Sequence, residues 1–296
     1  MLTERDLKSL SEIACDTAIA AGVYIQTQFN QQNETMHKAG GNSLASQVVT
    51  AVDFKAQEII LQGLEGSITQ YDLGLLTEEA SDDQSRHEKT YFWCIDPMDG
   101  TLAFTEGRTG YAVSIALVNQ AGDPIIGVVY VPDQQKCYTA IKGAGIFLNG
   151  QSFDRKDVIR NSENHSLKIY LDISLQKATY YEWLKQQLQE WAVQKNHQVK
   201  FHIGFGAVRN AVGVMFSPVG AYFKFPKKAI GGGSIWDYAA TRLFFEELGL
   251  SVSNSVGEPL HLNKPNTFMH EVGTLYATEP ELAYFIVGMG HKATER

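Results

Sequence analysis

The residues best suited to chemistry lie in one short stretch, residues 95–101, where two aspartates flank a proline. Proline fixes φ at about −65° and has no N–H, so a strand that reaches Pro97 cannot simply continue. We expect the resulting bend to direct Asp96, the Met98 carbonyl and Asp99 at one point. Hard oxygen ligands of this kind suit Mg²⁺ better than zinc. The stretch therefore predicts a magnesium site.

Gly100 and Thr101 follow directly and are predicted to begin a helical turn. The free N–H groups of such a turn favour a phosphate. A metal site beside an anion site is what metal-assisted hydrolysis of a phosphate ester requires. A plain turn is the alternative, because Asp-Pro and Asp-Gly are common turn dipeptides.

Further acidic positions could join this stretch, and each has a simpler explanation. Asp53 lies on the apolar stripe of a predicted helix, where a carboxylate is costly unless it is paired or bound to a cation. A shifted helix phase would instead leave it at the rim. Glu78 and Glu79 lie just upstream, where an exposed charged pair is the alternative. Asp237 follows Trp236 at a predicted helix start, where aspartate commonly acts as a cap.

The composition narrows the class of protein. The 296 residues carry a net charge of −8, with 44% hydrophobic and 20% charged side chains. The acidic balance disfavours a nucleic-acid polymer or an anionic membrane as partner. No apolar run is long enough to span a bilayer and no signal peptide precedes the first helix, so a cytoplasmic location is expected. Cys15, Cys94 and Cys137 are widely spaced without a CxxC pair, which predicts buried thiols.

The apolar spacing predicts the elements that must position these acids. Helical spacing runs from a cap at Thr3 to about Phe29, and a second helix carries apolar positions from Val49 to Leu64. The polar residues 31–46 between them predict a mobile loop. Strand patterns follow at 91–95, 111–118, 125–131, 136–141 and 146–148, the last four as two hairpins.

The polar residues 150–166 form the predicted domain boundary. Beyond them, strand and helix patterns alternate; they lie at 167–171, 178–191, 199–203, 221–225, from Asp237 to Gly249 and from about Glu279. We therefore expect a strand-rich α+β domain with two long helices over residues 1–160. An α/β domain with a mixed sheet is expected over residues 161–296.

Four features follow one another along the chain. They are a helix that carries an acid, Asp53, then the pair Glu-Glu, then Asp-Pro-x-Asp-Gly-Thr, and much later Trp-Asp. This set resembles the inositol monophosphatase superfamily of Mg²⁺-dependent, lithium-sensitive phosphatases, with similar segments from Val48 to about Ala277. The resemblance implies a layered αβαβα sandwich of the sugar-phosphatase type. It also implies two or three Mg²⁺ ions in each active site.

By this resemblance, one metal ion is held by Glu78, Asp96 and the Met98 carbonyl. Asp96, Asp99 and Asp237 hold a second. Carboxylates brought this close repel one another strongly, and divalent cations offset that repulsion. Bound metal also lowers the pKa of a water molecule and stabilises the leaving oxygen, so no covalent nucleophile is needed.

The remaining roles are implied in the same way. Asp53 and Thr101 position the attacking water, and Glu78 is counted with them as catalytic. The N–H groups of Gly100 and Thr101 receive the phosphate. Gly206, Ala207 and Arg209 lie where relatives contact the body of the substrate.

The nature of the ester depends on Lys224. The inositol-selective branch has an acidic residue at the matching position, whereas the 3'(2'),5'-bisphosphate nucleotidase branch has a basic one. Lys224 therefore favours a bisphosphorylated nucleotide over inositol monophosphate, and nothing specific supports a sugar bisphosphate. Lys227 and Lys228 either assist a second phosphate or form a solvated turn. The glycines at 231–233 are interpreted as a flexible link rather than an anion cradle.

A hypothesis of another class is an inactive metal- or phosphate-binding regulatory protein of the same fold. The intact pair of Asp53 and Thr101 argues against it, since a binder has no need of residues that orient water. The expected partner is a small-molecule phosphate ester, with no nucleic-acid polymer and no membrane. Relatives are often dimers, so a homodimer is expected by analogy alone.

Overall fold

The computed structural model describes residues 2–29, 35–37, 48–160 and 166–293. Its α-helices are α1 (Glu4–Gln28), α2 (Ala51–Tyr71), α3 (Ser85–Glu88), α4 (Thr101–Thr105), α5 (Arg155–Arg160), α6 (Tyr181–Gln194), α7 (Ala207–Met215), α8 (Ile235–Glu247) and α9 (Pro280–Ala293). The strands of the first half are β1 (Thr35–His37), β2 (Val48–Thr50), β3 (Gly74–Thr77), β4 (Tyr91–Asp99), β5 (Ala112–Asn119), β6 (Pro124–Val131), β7 (Lys136–Ile141), β8 (Gly145–Leu148) and β9 (Gln151–Ser152). The second half adds β10 (Ser166–Leu171), β11 (Gln198–Ile203), β12 (Val219–Lys224), β13 (Ser251–Ser253) and β14 (Thr274–Ala277).

The elements stack as five layers. Helices α1 and α2 cover one face of a seven-stranded sheet, and α7 and α8 fill the space between this sheet and a five-stranded one. Helices α6 and α9 cover the outer face of the second sheet. Three apolar clusters separate the layers because each sheet buries both of its faces. This order confirms the predicted αβαβα sandwich.

The first sheet has the order β3-β4-β5-β6-β7-β8-β9, with β3 parallel to β4 and every later pair antiparallel. Both predicted hairpins, β5–β6 and β7–β8, are confirmed. Strand β5 is buried along nearly its whole length. It therefore has a continuous apolar sequence rather than an alternating one, because helices cover both faces of the sheet.

The second sheet has the order β11-β10-β12-β14-β13. Strand β10 runs parallel to β11 and β12, whereas β14 is antiparallel to β12 and β13, so the predicted mixed sheet is confirmed. The carboxyl ends of β10 and β12 lie side by side at one edge. In sheets of this kind, ligands bind beyond the carboxyl ends of the parallel strands.

Several predicted boundaries were wrong. Val49 lies in β2 rather than on the second helix, which begins at Ala51. Strand β4 does not stop at Ile95 but continues through the proline to Asp99. Helix α6 covers 181–194 instead of 178–191, because a 3₁₀ turn occupies 173–177.

The two polar segments hold short elements that their composition did not predict. Of the predicted loop at 31–46, only β1 belongs to the described residues, and it pairs antiparallel with β2. The segment 150–166 contains β9 and α5. The division into domains at residue 160 stays a prediction. Helix α8 of the second half packs directly on the first sheet. No helix within the described ranges has the length and apolar character needed to cross a membrane.

Candidate metal centre

A β-bulge brings the two aspartates of β4 together. Between the pairs Asp96–Ser114 and Asp99–Ala112, two residues of β4 oppose a single residue of β5. Side chains three positions apart in a regular strand point to opposite faces. The extra residue restores Asp96 and Asp99 to one face. Pro97 is tolerated inside the bulge because the ladder needs no N–H there.

Gly100 turns the chain sharply from β4 into α4. Its φ is +90°, and a Cβ atom at this position would lie 2.7 Å from the carbonyl oxygen of Gly110, so a side chain does not fit. Thr101 begins α4, as predicted. Its Oγ1 lies 3.0 Å from the Met98 carbonyl oxygen and 3.3 Å from Oδ1 of Asp53. The hydroxyl therefore donates to one or other of these acceptors.

Asp53 lies in the first turn of α2 and is only 2% exposed. Its neighbours Val52 and Ala56 are buried on the same helix. The helical phase is therefore the predicted one, and the alternative that left Asp53 at the rim was wrong. Because Thr101 lies in α4, its contact with Asp53 joins α2 to the bend after β4.

The start of helix α7 holds Asp99. The backbone N–H groups of Ala207 and Val208 donate to Oδ1 and Oδ2 of Asp99, at 2.9 and 2.8 Å. The positive end of the helix dipole favours a carboxylate at this place. Gly206 allows the close approach, since a Cβ atom on it would lie 2.1 Å from Asp99 Oδ2. In the structure Gly206 and Ala207 thus contact a carboxylate, and their contact with substrate stays a prediction.

Asp237 both caps helix α8 and faces the other acids. Its carboxylate accepts a hydrogen bond from the backbone N–H of Ser234, which precedes the helix. The capping explanation is thus correct, but it leaves other lone pairs of the carboxylate available. Ser114 of β5 donates to the carbonyl oxygen of Trp236 at 3.3 Å and ties the start of the helix to the first sheet.

Glu78 follows strand β3 and is partly buried, so the alternative of an exposed charged pair was wrong. Its backbone N–H donates to the carbonyl oxygen of Ile95 at 3.2 Å, which places it beside the end of β4. The charge of Glu78 contributes to raising the pKa of Asp96. Glu78 therefore belongs to the same electrostatic cluster.

The acids converge from distant parts of the chain. Carboxylate oxygens of Asp96, Asp99 and Asp237 lie within 4.8 Å of one another. Burial, followed by the charges of Glu78 and Asp237, raises the pKa of Asp96 well above its ordinary value. Burial and the Asp237 charge do the same for Asp99. Burial is also the main cause that raises the pKa of Asp237 to about 6.

These residues fit a magnesium ion. The cluster consists of carboxylates, the ligands that hard cations prefer. Oδ2 of Asp96 is buried and has no hydrogen-bond partner in the described part of the chain. A buried carboxylate oxygen of this kind is costly unless a cation reaches it. A divalent ion would offset both this cost and the mutual repulsion of the acids.

Lys224 lies at the end of β12, next to this cluster, but it already has a partner. Its Nζ lies 2.6 Å from Oδ2 of Asp172, the residue that follows β10. Burial disfavours the charged lysine, yet the charges of Asp172 and Asp237 outweigh it and hold the pKa of Lys224 above its ordinary value. Sequence reasoning missed Asp172. Its only signal was its place directly after a strand pattern.

Lys227 is a second lysine near Lys224 and Asp172, and it lacks an ion pair of the kind that Lys224 makes among the described residues. It is partly buried, and none of the ion pairs within the described ranges involves it. Burial and the neighbouring Lys224 lower the pKa of Lys227. Its N–H donates to the carbonyl oxygen of His270 at 2.8 Å, and its Cε would lie 3.2 Å from a Cβ atom on Gly232. The glycine segment thus leaves room for this side chain.

The chain is similar to several phosphatases. A fructose-1,6-bisphosphatase/inositol-1-monophosphatase from Aquifex aeolicus is 32% identical over 164 residues, or 55% of this chain and 56% of that protein. The 3'(2'),5'-bisphosphate nucleotidase CysQ of Salmonella typhimurium is 38% identical over 96 residues, or 32% of this chain and 38% of that protein. The chain thus spans about half or less of the length of these curated relatives.

The fold is shared with solved structures over nearly the whole chain. An IMPase/NADP phosphatase complexed with Mg²⁺ and phosphate superposes with a TM-score of 0.70, covering 95% of each chain at 20% identity. The sequence profile of the inositol monophosphatase family matches residues 6–285. That match includes every acid of the cluster and both sheets. The chain belongs to the inositol monophosphatase family.

Proposed function

We propose that this protein is a Mg²⁺-dependent phosphomonoesterase acting on a small phosphorylated metabolite. The observation that carries the proposal is the convergence of Asp96, Asp99 and Asp237 within 4.8 Å, with a buried Asp96 oxygen that lacks a partner. The magnesium complex of the structurally similar IMPase/NADP phosphatase supports the choice of metal.

The proposed reaction is direct attack of water on phosphorus. Magnesium bound by Glu78, Asp96, the Met98 carbonyl, Asp99 and Asp237 would supply a water of lowered pKa and neutralise the leaving oxygen. The direction from which the water attacks phosphorus would be set by Thr101 and Asp53.

Thr101 and Asp53 have the arrangement needed to orient that water. When the Thr101 hydroxyl donates its proton to Asp53, its oxygen lone pairs are free to accept a hydrogen bond from the water. Both side chains are buried and held by separate helices, which fixes the positions of the hydroxyl and the carboxylate relative to each other. The N–H groups of Gly100 and Thr101 would then donate hydrogen bonds to the phosphate.

We further propose a substrate with a second phosphate, of the adenosine 3',5'-bisphosphate type. Lys224 lies close enough to Asp237 to perturb its pKa, and Lys227 lies close enough to Lys224 for burial and the charge of Lys224 to lower its pKa. Lys224 is neutralised by Asp172, whereas Lys227 has no carboxylate partner among the described residues. We therefore assign the contact with the second phosphate chiefly to Lys227, with Lys224 in support. The similarity to CysQ favours the same substrate class.

A phosphate-release screen tests both levels of the proposal. Adenosine 3',5'-bisphosphate, inositol 1-phosphate and fructose 1,6-bisphosphate are each assayed with Mg²⁺ and with a chelator. We expect Mg²⁺-dependent release, fastest with the nucleotide. Release that persists in the chelator contradicts the metal mechanism. Stabilisation by Mg²⁺ without any release favours the inactive regulatory protein instead.

A lysine variant tests the second phosphate separately. Lys227→Met is expected to lower kcat/KM for the bisphosphate about tenfold or more, because a hydrogen bond to a charged group contributes about 1.5–3 kcal/mol. The same variant should leave kcat/KM for adenosine 3'-monophosphate unchanged. Lys228→Met is the matched control, since Lys228 is exposed. Equal losses with both substrates would contradict the assignment of Lys227.

A further inference from the structure

Two cysteines that are far apart in the chain meet beneath helix α1. Cys15 lies on the face of α1 that packs against the first sheet, and Cys137 lies in the adjoining strand β7. Their Sγ atoms are 2.9 Å apart, and both thiols are free. Thiols at this distance need little movement to form a covalent bond, whose length is about 2.05 Å.

The backbone around this pair holds the two sulfurs in place. Asn149 accepts a hydrogen bond from the N–H of Cys137 at 2.8 Å and donates its own N–H to the carbonyl oxygen of Cys137, also at 2.8 Å. On the helix, the small residues Ala14 and Ala18 are fully buried and allow α1 to approach the sheet closely. The sulfur–sulfur contact is therefore a feature of two rigid elements.

The two thiols differ in the way that disulfide exchange requires. Cys15 is half-buried, and its contact with Cys137 lowers its pKa, so it is the thiol that forms the attacking thiolate. Cys137 is only 2% exposed, and the contact with Cys15 and burial raise its pKa. The third cysteine, Cys94, is fully buried in β4, and burial raises its pKa. Cys94 thus serves as an internal reference.

We propose that Cys15 and Cys137 form a reversible disulfide that ties helix α1 to strand β7, through exchange with a small disulfide such as oxidised glutathione. The Cys15 thiolate attacks one sulfur of the small disulfide, forming a mixed disulfide and releasing one thiolate. The Cys137 sulfur then attacks Cys15, the mixed bond breaks, and the second small thiolate leaves with the Cys137 proton. The two protein thiols are oxidised, and one disulfide is reduced to two thiols.

The expected consequence is a more stable fold with unchanged chemistry. The bond would close a loop between positions 122 residues apart, and long loops give the largest stabilisation in the chain-entropy description. Neither cysteine is among the residues assigned to the metal centre. This inference does not depend on the proposed hydrolase function.

The test is to equilibrate the purified chain with glutathione buffers of increasing oxidation and then quench free thiols with an alkylating reagent. After a quench under denaturing conditions we expect one alkylated thiol instead of three, one peptide pair linking Cys15 to Cys137, and for the unalkylated chain a melting temperature raised by about 5 °C. Dithiothreitol should reverse all three changes. Cys15→Ala should abolish them, whereas Cys94→Ala should retain them.

Two results would overturn the inference. One is a chain that keeps three alkylated thiols across the whole glutathione range. The other is stable glutathione attachment at Cys15 without a cross-link. Cys15→Ala is used rather than a Cys137 variant because Cys15 is only half-buried, so its replacement is less disruptive to the fold. The thiol count of the wild-type chain reports the bond without any variant.

Discussion

Adding a single methyl group at Gly206 should disable the metal centre without removing any ligand. A Cβ atom at this position would lie 2.1 Å from Oδ2 and 2.7 Å from Oδ1 of Asp99. The backbone of Gly206 has φ −64° and ψ 166°, which alanine adopts freely. Gly206→Ala therefore introduces a clash with the carboxylate and no backbone strain.

The magnitude follows from what Asp99 must lose. To avoid the methyl group it must move away from the N–H groups of Ala207 and Val208, and hydrogen bonds to a charged group contribute about 1.5–3 kcal/mol each. Overpacking of a buried site costs about 1–3 kcal/mol in addition. If half of this free energy is lost from Mg²⁺ binding, the Mg²⁺ dissociation constant rises roughly a hundredfold, since about 1.4 kcal/mol corresponds to a tenfold change.

The assay is a Mg²⁺ titration followed by thermal melting and by phosphate release. Wild type at about a hundred times its dissociation constant should gain about 2.7 kcal/mol of stability. Gly206→Ala should need about a hundredfold more Mg²⁺ for the same gain and for half-maximal turnover. Gly66→Ala is the matched control, because no atom lies within 4 Å of its added methyl. In α2 it should be neutral or slightly stabilising.

One result would refute this reasoning. If Gly206→Ala binds Mg²⁺ with the affinity of wild type and releases phosphate at the same rate, Asp99 does not act as a metal ligand. A variant that fails to fold would show no melting transition in the chelator. The Gly66→Ala control should show the same transition as wild type under that condition.

Three further predictions follow from the charges at the site. Asp96→Asn should abolish phosphate release and raise the melting temperature of the metal-free protein, because it removes a carboxyl group whose ionisation burial and the charge of Glu78 oppose; retained turnover would contradict its role. In chelator, the stability contributed by Asp237 should be full below pH 3.8, its ordinary pKa, and be lost as pH rises through about 6, because its folded-state pKa is raised. Asp237→Asn should lack this fall in melting temperature, and saturating Mg²⁺ should suppress it; identical melting–pH curves for both proteins would contradict it. Asp172→Asn should free Lys224 and lower the Michaelis constant for the bisphosphate more than for the monophosphate; equal changes would contradict a contact of Lys224 with the second phosphate.

The sequence was sufficient to predict most helices and strands and to single out acids that the structure brings together, whereas the layered sandwich was implied by the resemblance to the inositol monophosphatase family. The helical spacing of apolar residues in α1 and α2 and the nearly continuous apolar runs in β4, β5 and β6 reflect burial against neighbouring layers, and each can be recognised within its own segment. The position of Asp53 on an apolar stripe was informative because a buried carboxylate demands a partner. Asp96 and Asp99 were recognisable because Pro97 restricts the backbone between them and Gly100 permits the sharp turn that follows.

The sequence was insufficient where the structure depends on contacts between distant segments. Strand β4 continues past its proline because the bulge opposite β5 removes the need for the missing N–H, which no local pattern records. Lys224 and Asp172, which form an ion pair, are 52 positions apart, and Cys15 and Cys137, which are in contact, are 122 positions apart. Such pairings arise from the topology of the sheets, and composition does not predict them.

The most direct test of the central claim is anomalous diffraction from crystals of the protein soaked with Mn²⁺ as a substitute for Mg²⁺. We expect an anomalous peak within coordination distance of the carboxylates of Asp96, Asp99 and Asp237 in wild type, and its loss in Asp237→Asn. An absence of any peak there, in crystals of a protein whose phosphate release in solution requires Mn²⁺ or Mg²⁺, would contradict it.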